Sequence, residues 1–237
     1  MSLPFQFTFK NLVQQYQKAL AAGYEILTCA DFCRRKANLP KLTLVNRVDI
    51  DFSVKKAERL KKIFSDLQIK GTFFVRLHSS EYNPFSFENY KILKEIRDLN
   101  HELGYHSEIV DQAAAWQEEE NECLQRDLEI LSKMFNTKIL GIASHGGNTG
   151  LNNLSFWENH KAKDFGLLYE AYDDSKAFGL FKNSLYVSDS EWTQWKCYRF
   201  GKLVEGDQRS LSEHVLDRPK LIYLLIHPET YSDGPEE

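Results

Sequence analysis

The chain has 237 residues, enough for one large domain and within the usual size of an α/β barrel. Hydrophobic residues make up 42% and aromatic residues 13%, so a sizeable core can be buried. The formal net charge is −4 and there is no basic run or arginine stripe, which excludes an electrostatic case for nucleic-acid binding; no apolar run approaches the about 20 residues that span a bilayer.

The opening MSLPFQFTFK has no charged segment followed by an apolar block, so it does not read as a signal peptide, and a soluble, cytoplasmic protein is expected. Residues 10–22 read as an amphipathic helix with Leu12, Val13, Tyr16 and Leu20 on one side and Gly23 as its stop. A short helix around Asp31 to Ala37 follows. Cys29 and Cys33 fall on one face there, but no second close ligand pair completes a structural zinc site. With Cys123 and Cys197 they form no CxxC pair, and reduced thiols are expected.

KLTLVNRVDI is a short β-branched run that reads as a buried strand arriving at Asp49 and Asp51. Ser53 can cap the next helix, where Val54, Ala57, Leu60, Phe64 and Leu67 recur at helical spacing. TFFV is a second compact strand, 87–99 a helix, and a third strand ends at Gly104. Asp111 is placed as the cap of one long helix with the stripe Leu124, Leu128, Leu131 and Phe135. ILGIAS is a further strand leading into His145. Beyond residue 150 the pattern blurs, with NSLYVSDS strand-like, 208–216 a short helix and LIYLLI a final buried strand entering His227. This alternation, without linker or repeat, predicts a single α/β domain over 1–237, with 1–40 as an N-terminal helical extension. Open sheet and closed barrel both satisfy it.

The chemistry-bearing residues fall just after predicted strands, where parallel α/β folds build sites. Asp49 and Asp51 follow one strand, His106 another, and His145 and His227 two more. Alternate positions of a strand point the same way, so the two carboxylates of DID face each other and repel unless a cation or proton intervenes. One can bind a metal while the other takes a proton; the bland reading is a strand-end aspartate capping a helix. His106 and His145 suit as nitrogen ligands and His227 as a proton donor, against the plainer reading of buried, hydrogen-bonded histidines. His101, His160 and His214 are expected at the surface.

The segments RVDIDFS, GTFFV, HELGYHSE, IASHGG, SDSEW and LLIHPE, in that order, resemble the polysaccharide deacetylase family with the NodB homology fold (carbohydrate esterase family four). The likeness is to its divergent branch associated with surface-polysaccharide biosynthesis and runs from about residue 10 to 231. It implies an irregular (β/α)7 barrel and a divalent metal, usually zinc, that helps remove an N-acetyl group from an amino sugar or polysaccharide precursor. By position Asp49 is the general base, His227 the general acid, and Asp51 and His106 metal ligands. Asp189 and Trp192 lie near the stretch that lines the substrate groove, and Arg47 matches the arginine preceding the strand-end aspartates. Val110 stands at the family's second metal histidine, and Ser144 and His145 replace its arginine motif. His145 is therefore expected as the third ligand, with Glu108 as a substitute. A cytoplasmic setting favours a soluble or inner-leaflet precursor over a finished wall polymer. The same departures also fit a degenerate sugar-binding protein on this fold. A DxD glycosyltransferase is less favoured, since no phosphate loop accompanies the motif.

Overall fold

A computed structural model describes residues 5–147 and 149–234. In chain order the elements are α1 (Phe9–Ala21), β1 (Glu25–Leu27), α2 (Cys29–Arg35), β2 (Thr43–Ile50), α3 (Val54–Asp66), β3 (Thr72–Val75), α4 (Phe87–Asp98), β4 (Glu102–Ser107), α5 (Ile109–Trp116), α6 (Glu120–Met134), β5 (Gly141–Ser144), β6 (Tyr169–Glu170), α7 (Leu180–Asn183), β7 (Leu185–Ser188), β8 (Lys196–Arg199), β9 (Lys202–Leu203), α8 (Leu211–Leu216) and β10 (Leu221–Ile226). Local chemistry sets several boundaries. Thr8, Ser53 and Ser86 each accept a hydrogen bond from a first-turn amide of α1, α3 and α4. Ser210 and Glu213 form a reciprocal capping box on α8.

The strands pair in the order β6-β5-β4-β3-β2-β10-β7, seven parallel strands, and β8 and β9 continue the path as an antiparallel hairpin. Alternation along each strand sorts side chains into two layers. Leu44, Val48 and Ile50 of β2 face an outer layer shared with Leu60, Phe64 and Ile96 of the helices. Val45 of β2 faces inward with Phe74, Ala143, Tyr169, Tyr186, Tyr223 and Leu225. Among the described residues no backbone pairing joins β6 to β7, and side chains bridge that gap. The Tyr172 and Tyr186 hydroxyls lie 3.2 Å apart, and Phe178 stacks on Tyr169 at 4.6 Å while meeting Tyr223 edge-on. The architecture is thus the expected irregular barrel, closed on one side by aromatic rings.

β1 and α2 seal its lower end. β1 pairs with Thr43–Val45 of β2, below the stretch Arg47–Ile50 that pairs with β3. At the start of α2, the Cys29 amide donates to Thr72 Oγ1 (2.8 Å) and the Ala30 amide to Glu102 Oε2 (2.9 Å), both at the lower ends of their strands.

Gly141 shows how tightly the interior is filled. A Cβ there would fall 1.9 Å from Cζ of Tyr169, whose hydroxyl is fixed by Glu102 Oε1 at 2.7 Å. Gly141→Ala is expected to cost roughly 1–3 kcal/mol through overpacking, read from the urea midpoint; an unchanged midpoint would place Tyr169 elsewhere.

Two expected elements differ. β4 runs to Ser107 rather than ending at Gly104, because Tyr105, His106 and Ser107 continue pairing with β5. The long helix expected after Asp111 is two helices. Gln117 adopts a left-handed conformation (φ 56°) and ends α5, so Asp111 is not a helix cap but lies in the first turn of α5. His101 and His214 were expected at the surface and are buried.

Candidate active site

The seven parallel strands of that path point their carboxyl ends to one rim, and the inward registers of β2, β3, β4, β5 and β10 carry polar residues there. On β2 that register reads Val45, Arg47, Asp49 and then Asp51 just beyond the strand. On β4 it reads Gly104 and His106, then Glu108. β3 delivers Arg76, β5 delivers His145 and β10 delivers His227. Residues as far apart in sequence as Asp51 and His227, 176 positions, therefore meet within a few ångströms.

Asp51 is the hub. Its Oδ1 lies 3.1 Å from His106 Nε2 and 3.9 Å from His145 Nε2, and its Oδ2 lies 3.8 Å from His227 Nε2. His106 donates or accepts at Nδ1 with the Ala143 carbonyl at 2.8 Å; a carbonyl only accepts, so Nδ1 carries the hydrogen and Nε2 is directed at the aspartates. Asp51, His106 and His145 each offer one donor atom, all within 4.8 Å of one another. Asp51 Oδ1 is buried without a hydrogen-bond donor, and His145 turns Nε2 towards it and Nδ1 towards Glu108 Oε1 at 3.6 Å. An orphaned buried carboxylate oxygen is unfavourable without a cation, and one carboxylate oxygen with two imidazole nitrogens matches first-row divalent ions. The residues fit the metal.

Asp49 stands apart from that trio. Arg47, only 1% exposed, grips it with both forks: Nε to Oδ1 at 2.8 Å and Nη2 to Oδ2 at 2.7 Å. Burial pushes the Asp49 carboxyl up, but Arg47, with His106 and His227, holds it below the usual carboxylate range. Burial also opposes ionisation of Asp51, and the three surrounding histidines outweigh it. Arg47 itself lies beneath Asp49 and below the open rim.

His227 is held by Asp189, which is fully buried. The Asp189 carboxylate accepts from the His227 amide (2.9 Å) and meets Nδ1 at 2.6 Å, leaving Nε2 facing the rim. Burial lowers the imidazole's proton affinity, but Asp189, Asp51 and Asp49 raise its pKa to about 9. Burial and the neighbouring His106 move His145 the opposite way. Trp192, 40% exposed, lies 5.4 Å from the His227 ring and 5.7 Å from Phe52, 45% exposed. Glu108 is buried and bidentate with Arg76 (3.2 and 2.6 Å), 3.6 Å from His145 Nδ1.

Val110, where a histidine was absent, packs in the outer apolar layer at the start of α5. The loop carrying His145 is docked there instead. Asp111 accepts from the Thr149 amide (2.9 Å) and hydroxyl (2.6 Å) and from Asn153 Nδ2 (2.8 Å), and Asn153 also donates to the His145 carbonyl. Asn153 Oδ1 in turn accepts from the amides of Val110 and Asp111. Sequence reading missed Arg76, although it is the next inward position after Thr72 and Phe74. It also missed Glu229 of HPE, which accepts from the Phe52 and Ser53 amides (2.9 and 2.6 Å) and so fixes the backbone beyond Asp51.

No family model and no curated protein matches the chain. Among solved structures, similarity is found to a mutant of a CE4 family pseudoenzyme with restored enzymatic activity (18% identity over 79% of this chain and 57% of that one, TM-score 0.46). It is also found to the Streptococcus pyogenes deacetylase PplD in complex with acetate (20% identity, 55% and 59% of the two chains, TM-score 0.42). A third is IcaB from Ammonifex degensii (20% identity, 57% and 65%, TM-score 0.42). The chain thus spans less than two thirds of each of these. The motifs of the sequence resemble the CE4 polysaccharide deacetylases.

Proposed function

We propose that the protein is a metal-dependent hydrolase that removes an N-acetyl group from an amino sugar or polysaccharide precursor. The observation that carries this is the meeting, on one rim, of a carboxylate gripped by Arg47, an imidazole held by Asp189 and three converging ligand atoms. Asp51, His106 and His145 would hold the ion, zinc by the donor set; when bound it supplies Lewis-acid polarisation of the acetyl carbonyl and lowers the pKa of water.

The chain's own groups supply the proton steps. Asp49, kept ionised and fixed by Arg47, accepts a proton from the water that attacks the carbonyl carbon. His227, oriented by Asp189, which also raises its proton affinity, gives a proton from Nε2 to the amine as the carbon–nitrogen bond breaks. Acetate and a free amine leave. Trp192 and Phe52 offer exposed ring faces beside His227 against which a sugar can stack, and the Glu108–Arg76 pair walls the opposite side near His145.

The test combines elemental analysis with acetate release from N-acetylated amino-sugar oligomers. Compared with the parent dialysed against zinc, His145→Ala is expected to lose about one equivalent of metal and nearly all release. A parent that shows neither a metal difference from His145→Ala nor acetate release would overturn the hydrolase and leave sugar binding without hydrolysis.

A further inference from the structure

A second cluster of ligand-type side chains lies outside the barrel, on elements that the proposed reaction does not use. Cys197 of β8 and His214 of α8 are both completely buried, and Asp207 sits on the loop between β9 and α8. The Cys197 sulfur is 2.9 Å from His214 Nε2, and Asp207 Oδ1 is 3.7 Å from that same nitrogen. All three donor atoms lie within 4.8 Å of one another. The Arg209 carbonyl oxygen, which accepts a hydrogen bond from the Cys197 thiol at 3.8 Å, lies beside them.

The arrangement rules out a cysteine–histidine–aspartate relay. Such a relay needs the two imidazole nitrogens to face different partners. Here thiol and carboxylate both face Nε2, while Nδ1 has no hydrogen-bond partner. Burial also pushes the Cys197 thiol up to about 12, the reverse of an activated nucleophile. Donors that converge on one point, rather than forming a chain, are the geometry of ion coordination. A thiolate, an imidazole and a carboxylate suit a borderline-soft divalent ion such as zinc.

We propose that Cys197, Asp207 and His214 form a structural zinc-type site, with the Arg209 carbonyl completing four donors. Binding replaces the thiol proton, which leaves to solvent as the sulfur–metal bond forms. Sulfur and nitrogen on one tetrahedral zinc stand roughly 3.6 Å apart, so Cys197 and His214 separate by about 0.7 Å on binding. Arg209, bidentate to Asp207 at 3.0 and 2.8 Å, orients the carboxylate from behind. The ion ties β8, the 204–209 loop and α8 together, directly after the segment that carries Asp189 and Trp192.

Cobalt(II) distinguishes this site from the rim. A cysteine ligand gives an intense near-ultraviolet thiolate-to-cobalt absorption, and the trio Asp51, His106 and His145 contains no cysteine. Chelator-treated full-length protein titrated with Co²⁺ is expected to show the band in the parent and equally in His145→Ala. Cys197→Ser should lack it, and Asp207→Asn, a change on a partly exposed loop, should need at least tenfold more Co²⁺ to reach half its amplitude. No band in the parent at saturating Co²⁺ overturns the site, whatever the variants do. A band of full strength in Cys197→Ser overturns it as well, by assigning the thiolate to another cysteine.

Discussion

Asp49→Asn is expected to lower acetate release by roughly 10²–10⁴-fold while bound metal stays at the parent level. Asparagine keeps the shape and one acceptor for Arg47 but cannot take a proton from water. The carboxylate is close to the ligand trio, at 3.4 Å from His106 Nε2, yet outside it, so base and ligand separate experimentally. Loss of metal together with activity would make Asp49 a ligand. Activity within a few-fold of the parent would remove the base from Asp49 altogether. Rates are to be compared at saturating substrate, where the loss falls on kcat.

Arg47→Met is expected to destabilise the fold by about 3–5 kcal/mol, because it leaves the Asp49 carboxylate buried without its counter-charge. The pair is nearly inaccessible, 1% and 2% exposed, so solvent cannot replace the lost partner. Urea unfolding with acetate release checks both consequences. The double variant Arg47→Met with Asp49→Leu should recover much of the stability and none of the activity. A single-variant cost below about 1 kcal/mol would mean that water reaches the pair.

Much of this site was legible before any coordinates. DID on a β-branched run implies two inward carboxylates, and period-two alternation carries the inference without tertiary information. Histidines at strand ends were readable for the same reason, since parallel strands share a rim. Other features depended on long-range partners. β4 continued past Gly104 because β5 was there to pair with it, a fact that no local propensity contains. Asp111 looked like a cap, but its amide and carboxylate are engaged by Asn153 and Thr149 across about forty positions. Arg76 resembled any polar residue leaving a strand. His214 sits in the polar-looking stretch SEHVLD, and its burial follows from α8 covering β8, a hairpin strand that the blurred pattern beyond residue 150 concealed.

The arrangement of β2 has one further consequence. Arg47 and Asp49 on β2 and Asp51 just beyond it occupy consecutive inward positions, so no folding of separate loops is needed to bring them into relation. Their spacing is a property of extended backbone, and their place in the barrel is a property of how β2 pairs with β3 and β10. Slipping that pairing by one residue would turn all three outward against the helices and bring Val48 and Ile50 to the rim in their place. The contribution of β2 to the rim is therefore present or lost as one unit. Transplanting residues 43–53 into a related barrel would carry Arg47, Asp49 and Asp51 together, while counterparts of His106, His145 and His227 would have to come from the host's other strands.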